Sequence, residues 1–314
     1  MKQMIQNHNG YICAWKPIGP TSFQIVDRIR KASGINKVGH GGTLDPNAEG
    51  ILPILLGQGT RMNQEFGKYA KKYEAEILLG TTTNTLDSDG EILSKTDASH
   101  ITKNDIKDSL SSFRGEIEQQ PPMFSAVKYN GERLYKLARK GITVERKPRK
   151  VMVYEISISK LEASIAYVSI LCGNGTYIRS ISDELGQLLH VGATLQNLKR
   201  VEYGPFKQEN AKTIDQIEQA FKSKTYDDIY PLSYLFKNWR NVTLSKTQHA
   251  SISDGMDIEI RDQDINNAKE KPNPPVTSSP QENQIYALSP DGNMAAILTR
   301  KNNNYWHPSK VVAS

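Results

Sequence analysis

Apolar and polar positions alternate most clearly over Lys71–Leu79, where Tyr73, Ala75, Ile77 and Leu79 share one side of an expected strand. Before it, the chain predicts a short strand around Tyr11–Ala14 and a turn at Pro17–Pro20. Next comes a helix capped by Thr21 or Ser22, with Ile25, Val26 and Ile29 on one face and Gly34 at its end. The longest apolar run, Ile51–Leu56, predicts a buried strand or strand end. Asp87-Ser88-Asp89-Gly90 reads as a turn. Thr102 with Asp105 resembles a capping box, Ile101 can staple to Ile106, and Ile106, Leu110 and Phe113 mark a helix closed by Gly115. Asn130-Gly131 is a turn before a helix through Leu134, Leu137 and Ala138 that stops at Gly141. Runs rich in β-branched residues predict strands over Val151–Ser159 and Ala166–Cys172. Ile178, Ile181, Leu185 and Leu188 form one face of a helix spanning Tyr177–Leu189. Strands and helices mix without strict βαβ alternation, which favours an α+β fold.

A second unit is expected from Arg240, with a turn at Pro290-Asp291-Gly292 and a strand at Met294–Leu298. Within it Arg261–Gln284 is polar and carries four prolines, the composition of a flexible insertion. The expected division is therefore 1–239 and 240–314, with the insertion at about 261–284.

A length of 314 residues suffices for one large domain and a small one, and 37% hydrophobic with 24% charged residues fits a soluble globular protein. Six consecutive apolar residues are too few to cross a bilayer, and polar Met1–Asn9 lacks the apolar core of a signal peptide, so a cytosolic location is expected. Cys13 and Cys172, each in an expected strand, are read as buried reduced thiols. The net charge of +6 is modest, but Lys128–Lys150 holds nine basic residues and two acidic ones. A solvated helical face would account for that excess. So would contact with a polyanion's phosphates, and nucleic acid is the natural partner.

The candidate chemistry lies in VGHGGTLDPNAEGILPILL, Val38–Leu56, which gathers four glycines and one aspartate before the apolar run. Glycines 39, 41, 42 and 50 imply a tightly folded loop, and Pro46 holds Asp45 out of helical conformation at a turn. An aspartate closing its own turn would look the same. A phosphate-binding loop would need a following Gly-Lys-Ser/Thr, which is missing, and His40 with Asp45 is too small a set for a metal. Local chemistry stops at a shaped loop presenting one carboxylate.

The string GHGGTLDPNAEGILPI resembles the catalytic motif of the TruB family of tRNA pseudouridine synthases. Four further segments match in the family's order: KKYEAEILLG at Lys71–Gly80, PPMFSAVKYNGERLYKLARKG at Pro121–Gly141, GTYIRSI at Gly175–Ile181 and LKR at Leu198–Arg200. The resemblance spans about Tyr11 to Phe206. It implies a mixed, largely antiparallel sheet with flanking helices and a central active-site cleft, and a small β-rich RNA-binding domain of the PUA type at the C-terminus. It also implies conversion of uridine 55 in the tRNA T loop to pseudouridine, with no cofactor and no metal, by a monomer.

The same resemblance gives Asp45 as the nucleophile. Arg179 pairs with it, favouring the ionised carboxylate and fixing its orientation. A surface arginine at a helix start would be electrostatically unfavourable, so a compensating carboxylate is expected. Tyr73 packs on the uracil and helps to remove the C5 proton. Tyr177 and Leu198 line the pocket, Asp87 is an acidic residue near the cleft, and His40 contacts the loop of the extruded base. Lys128, Arg133, Arg139, Lys140, Arg146 and Lys147 are expected along the RNA backbone. Asn84 stands where many family members have Asp, and Gly41 where Thr is frequent; both bear on loop contacts. Two rivals remain: a synthase acting on ribosomal RNA under a guide complex, whose members usually carry long basic tails and a complete PUA domain, and a tRNA-binding folding chaperone without turnover.

Overall fold

The computed structural model describes residues 8–267 and 283–312. In chain order its first unit comprises β1 (Gly10–Lys16), α1 (Ser22–Ser33), β2 (Val38–His40), β3 (Ala48–Leu56), β4 (Lys71–Leu79), α2 (Lys103–Ser111), β5 (Gly115–Gln119), α3 (Leu134–Arg139) and β6 (Arg149–Glu162). It continues with β7 (Ile165–Cys172), α4 (Ile178–Leu188), β8 (Ala193–Tyr203), β9 (Phe206–Lys207), β10 (Lys212–Thr213) and α5 (Ile214–Ser223). Among the described residues these strands build one sheet in the order β10-β1-β3-β8-β4-β7-β6-β5, with β2 added to β3 and β9 to β8. Pairing is antiparallel except at β1–β10 and β3–β8, so the α+β, mixed and largely antiparallel expectation holds.

The strand β4 forms where alternation placed it, with Tyr73, Ala75, Ile77 and Leu79 buried beneath α2 and α4 together with Ile106, Leu110, Ile181 and Leu185. Thr21 caps α1 in a reciprocal box with Gln24, and Gly34 closes it in the left-handed conformation. One helix is shorter than expected. Its capping box at Thr102 and Asp105 forms, but α2 ends at Ser111, Phe113 is buried in the turn that follows, and Gly115 at φ 100° opens β5 instead of closing the helix. The β3–β8 crossing explains one glycine of the candidate loop. Gly50 has φ 119°, and a Cβ there would stand 2.3 Å from the Arg200 carbonyl oxygen.

A second sheet of five strands, among the described residues, runs from Asn241 to Val311 and packs on the helix Lys246–Ser253. Tyr286, Met294, Ile297 and Val312 from this unit share a core with Tyr11, Phe66, Phe236 and Trp239. The Lys310 ammonium donates to Glu65 at 3.0 Å across the same junction. Of the expected flexible stretch 261–284, residues 268–282 lie outside the described residues. The part before them makes a short 3-10 turn at Asp262–Asp264, and Asn241 and Asn266 exchange backbone hydrogen bonds. Both cysteines are buried free thiols. Among the described residues no helix is long and apolar enough to cross a membrane.

Replacing Gly50 with Ala should lower stability by about 3 kcal/mol, since it forces both a strained φ and a backbone clash. Urea unfolding measures this, and an unchanged midpoint would mean that β3 and β8 part without cost.

Candidate active site

The loop between β2 and β3 is held at both of its ends. Gly41 N–H donates to the Pro53 carbonyl at 2.9 Å, and Gly19 N–H to the Pro46 carbonyl at 2.9 Å. The Ser22 hydroxyl accepts from Leu44 N–H and donates to its carbonyl, each at 2.9 Å. Two buried cations complete the cradle. Lys16 donates to the carbonyls of Pro17, Pro46 and Ala48 at 3.0, 3.1 and 2.7 Å. Arg200 donates to those of Ile51, Gly42 and Thr43 at 2.7, 3.0 and 3.3 Å. Gly41 is glycine for lack of room: a Cβ there would lie 2.8 Å from the Phe66 ring.

This cradle presents Asp45 with its side chain half exposed, while Arg179, in the first turn of α4, is almost wholly buried, at 49% and 7% accessibility. The two pair at 2.8 Å through Nη2 and Oδ2. The same guanidinium donates to the Phe124 carbonyl at 2.9 Å and the Thr85 carbonyl at 3.3 Å, and reaches Asp87 at 3.5 Å. Asp87 in turn accepts from the Thr85 hydroxyl at 2.5 Å and from Asp89 N–H at 3.2 Å. Burial raises its pKa, and those hydrogen bonds and Arg179 offset only part of the rise. A hydrogen bond from Asn47 to Asp89 ties the Asp45 loop to the Asp87 turn.

Tyr73 is buried in one cluster with Leu44, while Leu198, partly exposed, packs against that cluster from β8. Burial raises the Tyr73 hydroxyl, with the Arg200 charge working against it. Tyr177 is the residue before α4, and the Gln119 side chain satisfies both its N–H, at 2.7 Å, and its carbonyl, at 3.0 Å. His40 lies at the loop's start with a buried Nδ1 that has no hydrogen-bond partner. Burial first, then Arg200, lowers its pKa, so the ring is neutral at physiological pH. The structure thus brings Asp45, Arg179 and Asp87 into one network and places Tyr73 and Leu198 beside the loop.

The basic residues divide. Lys128, Arg133, Arg139 and Lys147 are exposed on the segment that follows β5. Lys140 is paired with Glu132 at 2.8 Å on the surface, and half-buried Arg146 donates to the Pro121 carbonyl at 3.0 Å. A cavity of about 360 Å³ next to Leu198 includes Glu49, Glu74 and Glu76 but not Asp45, Tyr73 or Arg179, and its charge is wrong for RNA phosphates. Among the described residues no three His, Cys, Asp or Glu side chains converge as metal ligands would.

Sequence reasoning missed Lys16, Gln119, Arg200 and Tyr203. A lysine in the apolar run GYICAWK was a signal for the first, and the place of Arg200 in LKR for the third.

Solved structures share this architecture: a Cbf5-Nop10-Gar1 complex superposes with a TM-score of 0.69 at 26% identity, over 97% of this chain and 82% of that one. An H/ACA RNP bound to a substrate RNA containing 2'-deoxyuridine gives 0.70 at 22% identity, over 99% and 87%. The fold is that of the pseudouridine synthases. Sequence models of the TruB family pseudouridylate synthase N-terminal domain and the tRNA pseudouridylate synthase B C-terminal domain match residues 30–178 and 179–237. The chain belongs to the TruB family. It is 38% identical to a tRNA pseudouridine synthase B of Dehalococcoides mccartyi over 98% of this chain and 97% of that protein. Its identity to the protein of the same name from Symbiobacterium thermophilum is 42%, over 81% and 84%.

Lys71 gives the site a pH signature. Its ammonium donates to Asn174 at 2.7 Å and lies 4.8 Å from the Tyr203 ring centroid, and burial, aided by Arg200, lowers its pKa to about 7. An unfolded lysine keeps its proton to about 10.5, so above pH 7 the unfolded chain binds more protons and stability rises with pH. Buried Cys13 and Cys172, raised to about 12 and about 11, oppose the rise once unfolded thiols ionise near pH 9. The gain in denaturation midpoint from pH 7 to pH 9 should therefore shrink in Lys71→Met, while Lys16, lowered to about 8, keeps part of it. Equal slopes in the two proteins would show that folded Lys71 stays charged.

Proposed function

We propose that this TruB-type enzyme converts uridine 55 in the T loop of tRNA to pseudouridine, with Asp45 as nucleophile on an extruded nucleotide. The observation that carries the reading is the Asp45–Arg179 pair at 2.8 Å, an exposed carboxylate aimed by a buried guanidinium. The relatives named tRNA pseudouridine synthase B favour tRNA over a guide-directed RNA, since identity to them is 37–44%, against 26% for the Cbf5 complex.

The reaction is an isomerisation. The bond between uracil N1 and ribose C1′ breaks, the base turns, C5 bonds to C1′, the C5 proton leaves and N1 gains one. No redox equivalent and no transferred group enters, and the chemistry asks for no cofactor. Asp45 takes the nucleophilic role, and Arg179, itself steadied by Asp87, orients it. Tyr73 and Leu198 supply the wall against which the detached base turns, and Tyr73 helps in removal of the C5 proton. Tyr177 borders the pocket, and neutral His40 stacks in the RNA loop where the base has left. The C-terminal sheet acts as a small PUA-like RNA-binding domain, within a division at about residue 240.

The direct test is incubation with an unmodified tRNA transcript, followed by mapping of carbodiimide-dependent reverse-transcription stops. Wild type should give one stop signal at the T-loop uridine. Asp45→Asn, which keeps the shape and removes the nucleophile, should give none while binding tRNA as before. Turnover near wild type in Asp45→Asn would remove Asp45 from the chemistry.

RNA contact by the 128–150 segment has its own measurement. Replacing exposed Lys128, Arg133, Arg139 and Lys147 with Gln should weaken tRNA binding. It should also flatten the slope of log K against log salt by about 0.7 to 0.9 for each phosphate that is no longer neutralised. An unchanged slope would assign the segment to solvent.

A further inference from the structure

Arg200 is 1% exposed and, among the described residues, has no carboxylate within ion-pair distance. A buried guanidinium satisfied by neutral partners is costly, so its place needs a reason beyond packing. It donates to backbone carbonyls of the segment that carries Asp45: Gly42 and Thr43 before the aspartate, Ile51 after it. Tyr203, further along β8, extends the grip. Its hydroxyl donates to the Gly41 carbonyl at 2.7 Å, and its ring centroid lies 4.9 Å from the Arg200 guanidinium carbon. Three consecutive carbonyls, 41 to 43, are thus fixed from one strand. On its other side β8 is registered with β4, Arg200 opposite Tyr73.

We infer that Arg200 is a positioning residue for the reaction: without touching the substrate, it locks the 41–43 backbone to β8 and so sets where Asp45 stands relative to Tyr73. The inference rests on the reading of Asp45 and Tyr73 given above. The planar guanidinium reaches Ile51, Thr43 and Gly42 from three different nitrogens held in a rigid fork, whereas a lysine at this position keeps the charge but not that fixed spread of donors. Displacing a nucleophile by about 1 Å can cost about a hundredfold in rate. The consequence is a defect in the chemical step that leaves RNA docking alone, because Arg200 is buried and offers RNA no surface, unlike the exposed basic residues of the 128–150 segment.

Single-turnover rates at saturating tRNA, tRNA binding and thermal unfolding are measured for Arg200→Lys, Arg200→Met and Tyr203→Phe, with Asp45→Asn alongside. The rate should fall about tenfold in Arg200→Lys and about a hundredfold in Arg200→Met, while the dissociation constant for tRNA moves by less than about threefold. Tyr203→Phe, which removes the hydroxyl's hold on the Gly41 and Phe66 carbonyls and leaves Arg200 in place, should lose rate by a smaller factor in the same manner. Should Arg200→Met fail to fold, the lysine and phenylalanine variants carry the test. Wild-type rates in both, or a loss that appears in binding instead of rate, would overturn the inference. Asp45→Asn separates the two claims. If it turns over normally, the reading of Asp45 fails whatever Arg200 does. If it is dead while the Arg200 variants are fast, only the positioning role fails.

Discussion

A guanidinium taken out of water must be surrounded, and the way Arg179 is surrounded organises the site. Its partners come from three separated stretches of chain outside its own helix: Asp45, the turn at Thr85 and Asp87, and the Phe124 carbonyl. Losing any one leaves a buried charge short of a partner, which is more damaging than the pair itself is stabilising. The burial is one-sided. Arg179 is fixed by its surroundings, and Asp45, exposed to solvent, is the group left with a surface to offer a substrate. The arginine therefore belongs to the scaffold, and the carboxylate it orients is the partner that faces solvent.

The same principle extends to the loop backbone. Lys16 and Arg200 direct their donors to carbonyls instead of carboxylates, one flanking Pro46 and Ala48, the other Gly42, Thr43 and Ile51. Carbonyls of an irregular loop have no ladder to satisfy them, and a buried cation is a compact source of several donors. The cost shows in Lys16, whose pKa burial lowers to about 8. Stability is given up locally so that the connection between β2 and β3 holds one shape.

How much of this was legible depended on whether one face of an element met water. Strand β4 alternates because Glu74 and Glu76 are polar-side neighbours of Tyr73, Ala75 and Ile77, and helix α1 declares both ends through Thr21 and Gly34. The strand β8, at the centre of the sheet, shows only its LKR motif. It lies between β3 and β4, and its register shifts at Leu195/Asn197 and Arg200/Glu202 interrupt a period of two. Helix α5 escaped notice although Thr213 and Gln216 form a capping box. Phe113 reads as helical because a turn can bury a phenylalanine at the same spacing as a fourth helical residue. In the candidate site, residue chemistry alone stops at a shaped loop presenting one carboxylate, and it is the motif resemblance that singles out Asp45, Arg179 and Tyr73. Gln119, Lys16, Arg200 and Tyr203 act on backbone atoms, and a sequence does not show which carbonyl lacks a partner.

The second sheet is joined to the site by packing as well as by chain. Phe66 lies at the junction: its ring forbids a side chain at Gly41, its carbonyl accepts from Tyr203 at 3.2 Å, and it shares a core with Tyr286, Met294 and Val312. Its neighbour Glu65 is buried between Lys68 and Lys310, and those cations hold its pKa below the usual carboxylate value in spite of burial. Close-packed interiors transmit displacement because few voids absorb it. The floor of the Asp45 loop and the contact surface of the second sheet are therefore one body of packed aromatic rings, and the loop's shape is a property of both units together.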